Sequence, residues 1–168
     1  DISIDEPQYQ EDLFSDLVGW WKMDGNLNDS KFNDNGTATG TTFTSDRYGN
    51  GNKAYLFDGV NDYITFTGAA KSSSPIFKLS ESDFSISCWF KTITNQGYQT
   101  ILSKTYDGDW NDFLLWLNDD QIRFFTEENG NNDSYMTGSS SFSINTWNHV
   151  VASISVSSLQ MTVRIYLN

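Results

Sequence analysis

Oxygen-bearing side chains recur at alternate positions in Asp24-Gly25-Asn26-Leu27-Asn28-Asp29. A hard divalent cation draws roughly six to eight oxygens from its surroundings, so Asp24, Asn26 and Asn28 are candidate calcium ligands. The stretch departs from an EF-hand, because Asp29 stands at the sixth position, where glycine is expected, and Asn35 at the twelfth, where a bidentate glutamate is expected. The same side chains cap turns by accepting backbone N–H groups, and the spacing leaves both uses open. A second polar loop, Tyr106-Asp107-Gly108-Asp109-Trp110-Asn111-Asp112, sets rings beside carboxylates. A sugar is held by stacking its apolar C–H face on an aromatic ring while Asp and Asn take its hydroxyls. Tyr106, Asp107, Asp109 and Trp110 are therefore candidate glycan contacts, although an ordinary hairpin loop with a packed tryptophan has the same composition, and binding sites gather on loops.

Other reactive groups are sparse. Cys88 is the one cysteine. It cannot form an intrachain disulfide, and inside FSISCWFKT it reads as a small buried hydrophobe rather than a nucleophile. The lack of disulfides does not place the chain in the cytoplasm. His149 is the one histidine, and the alternation of WNHVVASI favours a structural role over that of a general base. Acids outnumber bases 22 to 10, giving a formal charge of −12. That argues against nucleic acid and anionic membranes as partners, whose affinity depends on cationic side chains. The surplus serves solubility and favours divalent cations.

These groups need a scaffold. A chain of 168 residues suits one domain with a real core. With 15% aromatic residues, 12 Gly, 2 Pro and strand patterns every dozen or so residues, it reads as an all-β, antiparallel sandwich. Residues 1–16 carry six acids and no base, the composition of a tether or edge segment. Such a leader could follow a lipid-anchored cysteine, which would lie outside this chain. No run approaches the ~18 apolar residues of a membrane span, and the start has no signal-peptide pattern.

Residues 17–23 are expected to form the first strand, with Trp20 and Trp21 on opposite faces and one indole buried. Residues 24–52 read as a turn-rich connection with one short strand around 37–44. In AYLFDGVNDYITF, residues 54–66, a strand breaks at Asp58-Gly59 and resumes after Val60. Further strands are expected at 84–92, 100–104, 113–117, 121–126, 147–154 and 161–167, with a turn at 128–133. Asn118-Asp119-Asp120 signals a hairpin. In FSISCWFKT, Phe84, Ile86, Cys88 and Phe90 share one face and Ser85, Ser87, Trp89 and Lys91 the other. Trp89 is thus either a ligand platform or part of a packed layer. Three Asn-x-Ser/Thr acceptor patterns, at Asn28, Asn35 and Asn132, carry little weight in loops this rich in Asn.

Residues 54–66, with LVGWWKMDGNLNDS at 17–30 and SDRYGNGN at 45–52, resemble the laminin-G-like, concanavalin A-like family of bacterial surface proteins. The resemblance covers residues 17–168 and implies a jelly-roll sandwich. It also implies strands beyond VRIYLN, so the domain is expected to be incomplete at its C-terminal end, the missing strands coming from further chain or a partner. It implies a structural calcium ion where the loop of Asp24, Asn26 and Asn28 meets the turn of Asp58, Asn61 and Asp62. The function implied is non-catalytic recognition of glycan or of a surface protein outside the cell, or docking as an accessory subunit of a larger surface complex. Laminarinase-type hydrolases share the sandwich and need paired carboxylates, ~5–5.5 Å apart in retaining enzymes. Their motif, Glu-x-Asp followed by a further Glu, is approached only by Glu81-Ser82-Asp83, which has Ser85 and Ile86 where the last acid belongs. No enzyme is expected.

Overall fold

The computed structural model describes residues 15–32, 34–66, 83–104, 113–126, 135–157 and 160–168. It divides into two compact units, Asp1–Ile76 and Phe77–Asn168. The eleven strands among the described residues are all paired antiparallel.

The first unit holds β1 (Gly36–Thr39), β2 (Thr42–Thr44), β3 (Ala54–Leu56) and β4 (Tyr63–Phe66). The two strands of residues 54–66 are present but do not pair with each other. β3 pairs with β2, and β4 pairs with β1. The polar stretch between them is occupied by its own turn, in which Asp58 accepts the N–H groups of Val60 and Asn61. The strand mates come instead from residues 36–44, where Gly40 splits the one expected strand into two. Gly40 has φ +78, and a Cβ there would overlap the Asp62 carboxylate, so only glycine allows the turn. The strand expected at 17–23 is reduced to a single bridge, Trp21 to Asp29. Its two indoles do diverge as alternation requires: Trp20 is exposed, whereas Trp21 packs on Phe66 at 4.5 Å and donates its indole N–H to the Asp34 carbonyl at 2.7 Å.

The second unit is a two-layer sandwich. One sheet has the order β11-β10-β5, from β5 (Phe84–Phe90), β10 (Asn148–Ser157) and β11 (Gln160–Leu167). The other runs β6-β7-β8-β9, from β6 (Tyr98–Lys104), β7 (Phe113–Asn118), β8 (Gln121–Thr126) and β9 (Tyr135–Ser141). Period-two alternation puts Leu115, Leu117, Ile122 and Phe124 of one sheet against Val150, Ala152 and Ile154 of the other, with Phe84, Ile86, Cys88, Phe90, Val163, Ile165 and Leu167 packed around them. Leu115, Ile122, Phe124 and Val150 are wholly excluded from solvent, each contributing about 1.5–3 kcal/mol. The expected hairpin joins β7 to β8: Asp119 and Asp120 take positive φ, 45° and 66°, as a two-residue turn of this hand requires. Strand β9 was not expected, since YMTGSSS has no apolar alternation. The turn expected at 128–133 lies outside the described residues.

Candidate functional site

Because Phe84, Ile86, Cys88 and Phe90 face the core, Ser85, Ser87, Trp89 and Lys91 face outward, and the register extends that outer face across three strands. Trp89 stands opposite His149, Ser87 opposite Val151, and Ser85 opposite Ser153. On the far side of β10, Val151 is opposite Tyr166, Ser153 opposite Arg164, and Ser155 opposite Thr162. The result is a field rich in hydroxyl-bearing residues, with Val151 and Arg164 among them and aromatic rings at one end.

The hydroxyl rungs are tied together. Ser85 Oγ donates to Ser153 Oγ at 3.2 Å, and Ser155 Oγ donates to Asp83 Oδ2 at 2.9 Å. At the aromatic end, the His149 imidazole stacks on the Trp89 indole, with centroids 4.8 Å apart and planes 17° from parallel. The imidazole is also held at its edge, Nε2 lying 2.8 Å from Ser87 Oγ. The backbone N–H of His149 donates to Asn168 Oδ1 at 2.9 Å. Trp89 remains 38% exposed and Tyr166 56% exposed. A large indole whose orientation is fixed by a second ring, set among hydroxyls on a rigid sheet, can stack an apolar ligand face and hydrogen-bond its rim. Lys91 and Arg164 are exposed on this face, and Asp83 is the carboxylate among its described residues.

Of the five residues proposed for glycan contact, Trp89 is on this face, while Tyr106, Asp107, Asp109 and Trp110 lie outside the described residues. Sequence reasoning missed Ser87, Tyr166 and Arg164, and read His149 as structural without a partner. The alternation of MTVRIYLN already places Arg164 and Tyr166 opposite to Val163, Ile165 and Leu167, but only the strand register shows which residues they join.

The six proposed calcium ligands all lie in the first unit, divided between the two ends of β3. At one end the Lys53 ammonium sits 3.9 Å from Asp24 Oδ2 and donates to the Asp24 carbonyl at 3.1 Å. Asn26 Oδ1 accepts the N–H of Asn28 at 2.9 Å. At the other end, Asp58 Oδ1 accepts the N–H groups of Val60 at 2.8 Å and Asn61 at 3.2 Å, which hold its carboxyl below the usual carboxylate range. Asp62 Oδ2 accepts the N–H of Asp58 at 2.9 Å. Among the described residues no three His, Cys, Asp or Glu side chains gather as a metal-holding group. Asp24 already has a cation beside it. Asp29 has a different part: its carboxylate, 8% exposed, accepts the N–H groups of Trp20, Lys31 and Phe32 at 2.9–3.0 Å.

Cys88 points into the sandwich, and burial pushes its thiol up to about 12. It is chemically inert there, as a buried hydrophobe should be.

A two-layer antiparallel sandwich is the architecture of the concanavalin A-like class of folds. The family described as the concanavalin A-like lectin/glucanases superfamily, of laminin G type, matches residues 57–168. The match covers more than half of the chain, and the chain belongs to this family. No curated protein and no solved structure matches it.

Proposed function

We propose that this protein is a non-catalytic recognition module acting outside the cell or at a bacterial cell surface, and that it binds glycan on the outer face of β5, β10 and β11. The observation that carries the reading is the Trp89 indole, partly exposed and fixed by its stack on His149. Hydrolysis receives no support from this face, where Asp83 is the carboxylate among the described residues and accepts a hydrogen bond from Ser155. Among the described residues, no helix is long and apolar enough to cross a membrane.

Calcium bracing of the first unit belongs to the same reading. It is supported by the oxygen-rich turns at Asp24–Asn28 and Asp58–Asp62, and binding at Asp24 would displace Lys53. A ligand present at ~100 times its dissociation constant adds about 2.7 kcal/mol. Excess calcium should therefore raise the melting temperature by several degrees over chelator, and an unchanged melting temperature removes the metal.

A second reading, docking to a surface protein or larger complex without sugar binding, draws on the first unit. Phe43, Leu56, Phe57 and Tyr63 are all exposed there.

Glycan-array screening of the wild-type chain beside Trp89→Ala decides between them. Binding that is lost on removing the indole while the fold persists supports the sugar face. No binding to any glycan moves the weight to the docking reading.

A further inference from the structure

Among the described strands, β10 alone pairs with β5, which therefore forms one edge of its sheet. The neighbouring ladder shows which of its backbone groups face that edge. The His149 N–H donates to Asn168 Oδ1 and the His149 carbonyl accepts the Asn168 N–H, so His149 turns its backbone toward β11. Backbone groups alternate sides along a strand, which turns those of Asn148, Val150, Ala152 and Ile154 toward β5. Their register partners Phe90, Cys88, Ile86 and Phe84 direct their own N–H and C=O groups to β10, and the backbones of Ser85, Ser87 and Trp89 point the other way, at the edge. The side chains tell the same story. Phe84, Ile86, Cys88 and Phe90 face the core yet are only half-buried, whereas Val150, Ala152 and Ile154 beside them are at most 1% exposed. Edges of this kind are usually guarded by a charge, a proline or a bulge within the strand, and the seven residues FSISCWF carry no charge and no proline and pair with β10 without a register shift.

We infer that the β5 edge is an interaction surface for a second copy of this chain, two β5 strands running antiparallel about a two-fold axis at Ser87. Ser87 is the middle residue of the strand, so an axis there pairs its whole length. Ser87 meets Ser87 and Ser85 meets Trp89 in hydrogen-bonded pairs, each exchanging two N–H···O bonds, while Phe84 meets Phe90 and Ile86 meets Cys88 on the inner face and extends the core past the edge. The same axis sets Asp83 of one copy opposite Lys91 of the other, twice over. Shifting the axis by one residue, to Ile86 or Cys88, loses both charge pairs. The two three-stranded sheets become one of six, with both Trp89 rings on a continuous outer face. The pairing does not depend on the glycan reading, because array binding reports on the face and self-association on the edge.

The whole chain is sedimented through a dilution series at about 0.15 M salt, where repulsion between two chains of charge −12 is screened beyond about 8 Å. It should run as a dimer that dissociates on dilution, since one strand edge buries less than the roughly 1,200 Å² of a standard complex. Ser87→Cys reads the register. Residues opposed in a hydrogen-bonded pair stand about 5.5 Å apart at Cα, within the span of a disulfide, so this variant should cross-link under mild oxidation and Ser85→Cys, which faces Trp89, should not. Ser87→Pro removes an edge N–H at a position where a strand tolerates proline, and should abolish the dimer with an unchanged circular dichroism spectrum. Asp83→Lys and Lys91→Asp should each weaken self-association about three- to tenfold, and mixing the two variants should restore it. A wild-type chain that sediments as a monomer at every concentration overturns the inference and leaves the edge to a strand of another protein. A dimer that survives Ser87→Pro, or that Ser87→Cys fails to lock, is built on a different surface and overturns it equally.

Discussion

The two units meet the same requirement, ordering short strands with many polar loops, by opposite means. In the second unit the strands are long enough to alternate, and the apolar half of each strand is spent on a shared interior between two sheets. In the first unit the strands are three or four residues long, and large side chains such as Phe43, Leu56 and Tyr63 stay exposed. Its order comes from side chains that satisfy the backbone: Asp29 takes three N–H groups, Asp46 takes those of Tyr48 and Asn50, and Asp58 takes two more. A buried unpaired N–H costs about 1–3 kcal/mol, so one carboxylate can hold together a loop that has little apolar surface to bury. The contrast separates two classes of sequence signal. Apolar period builds sheets around a shared interior, while Asx chemistry builds loops whose oxygen atoms accept backbone N–H groups.

The sharpest break in that contrast is a core truncation. Phe124 is wholly buried and stacks on Phe113 at 5.9 Å. Phe124→Ala should cost about 3–5 kcal/mol. Cys88 offers an independent readout, since its thiol is buried and held in the unreactive protonated form. Labelling by a thiol reagent at pH 8 should be slow in wild type and at least a hundredfold faster in the variant, because 1.4 kcal/mol is about tenfold in the open population. Rapid labelling of the wild-type chain would show that the second unit is not closed as described.

The matching experiment in the first unit is Asp29→Ala, which leaves three backbone donors without their acceptor and should cost about 2–4 kcal/mol. Amide exchange at Trp20, Lys31 and Phe32 should accelerate together. Asp29→Asn keeps an acceptor oxygen and should fall between. If the two units differ as argued, Asp29→Ala leaves Cys88 labelling near its wild-type rate. Equal acceleration of Cys88 in both variants would dissolve the contrast and make the chain one cooperative body.

What could be read from the sequence follows the same division. FSISCWFKT and FLLWLNDDQIRFF revealed strand, face and hairpin because apolar period is a local property. Partner choice is not local. Residues 54–66 read as strand-turn-strand, and nothing in them says that β3 and β4 pair with β2 and β1 rather than with each other. That depended on Gly40 meeting Asp62, residues 22 apart in the chain. Strand β9 was invisible because YMTGSSS has no apolar alternation, and only its register with β8 shows it as a strand. Trp89 was legible as an outward ring, but His149, Ser87 and Tyr166 join it only through register. The Asp and Asn of the loops were legible as oxygen donors, yet composition does not tell an oxygen offered to a cation from one already bonded to a backbone N–H.

The smallest effect tests that last distinction directly. The Val60 and Asn61 N–H groups hold the Asp58 carboxyl below its ordinary value, so the folded chain favours the ionised form. A depressed carboxyl contributes stability that is fully present above its unfolded value, near 3.9, and is lost as pH falls through the lower folded value. Wild-type melting temperature should therefore fall between pH 4 and pH 2 slightly more steeply than that of Asp58→Asn, whose amide oxygen keeps the turn but does not titrate. The exposure of the turn to solvent keeps the difference small. If calcium instead depends on Asp58, adding the ion at pH 7 will raise the melting temperature of wild type but not of Asp58→Asn, on top of the difference the two show in chelator. Those two signatures fall in different pH ranges, so one pair of proteins tells a turn cap from a metal ligand.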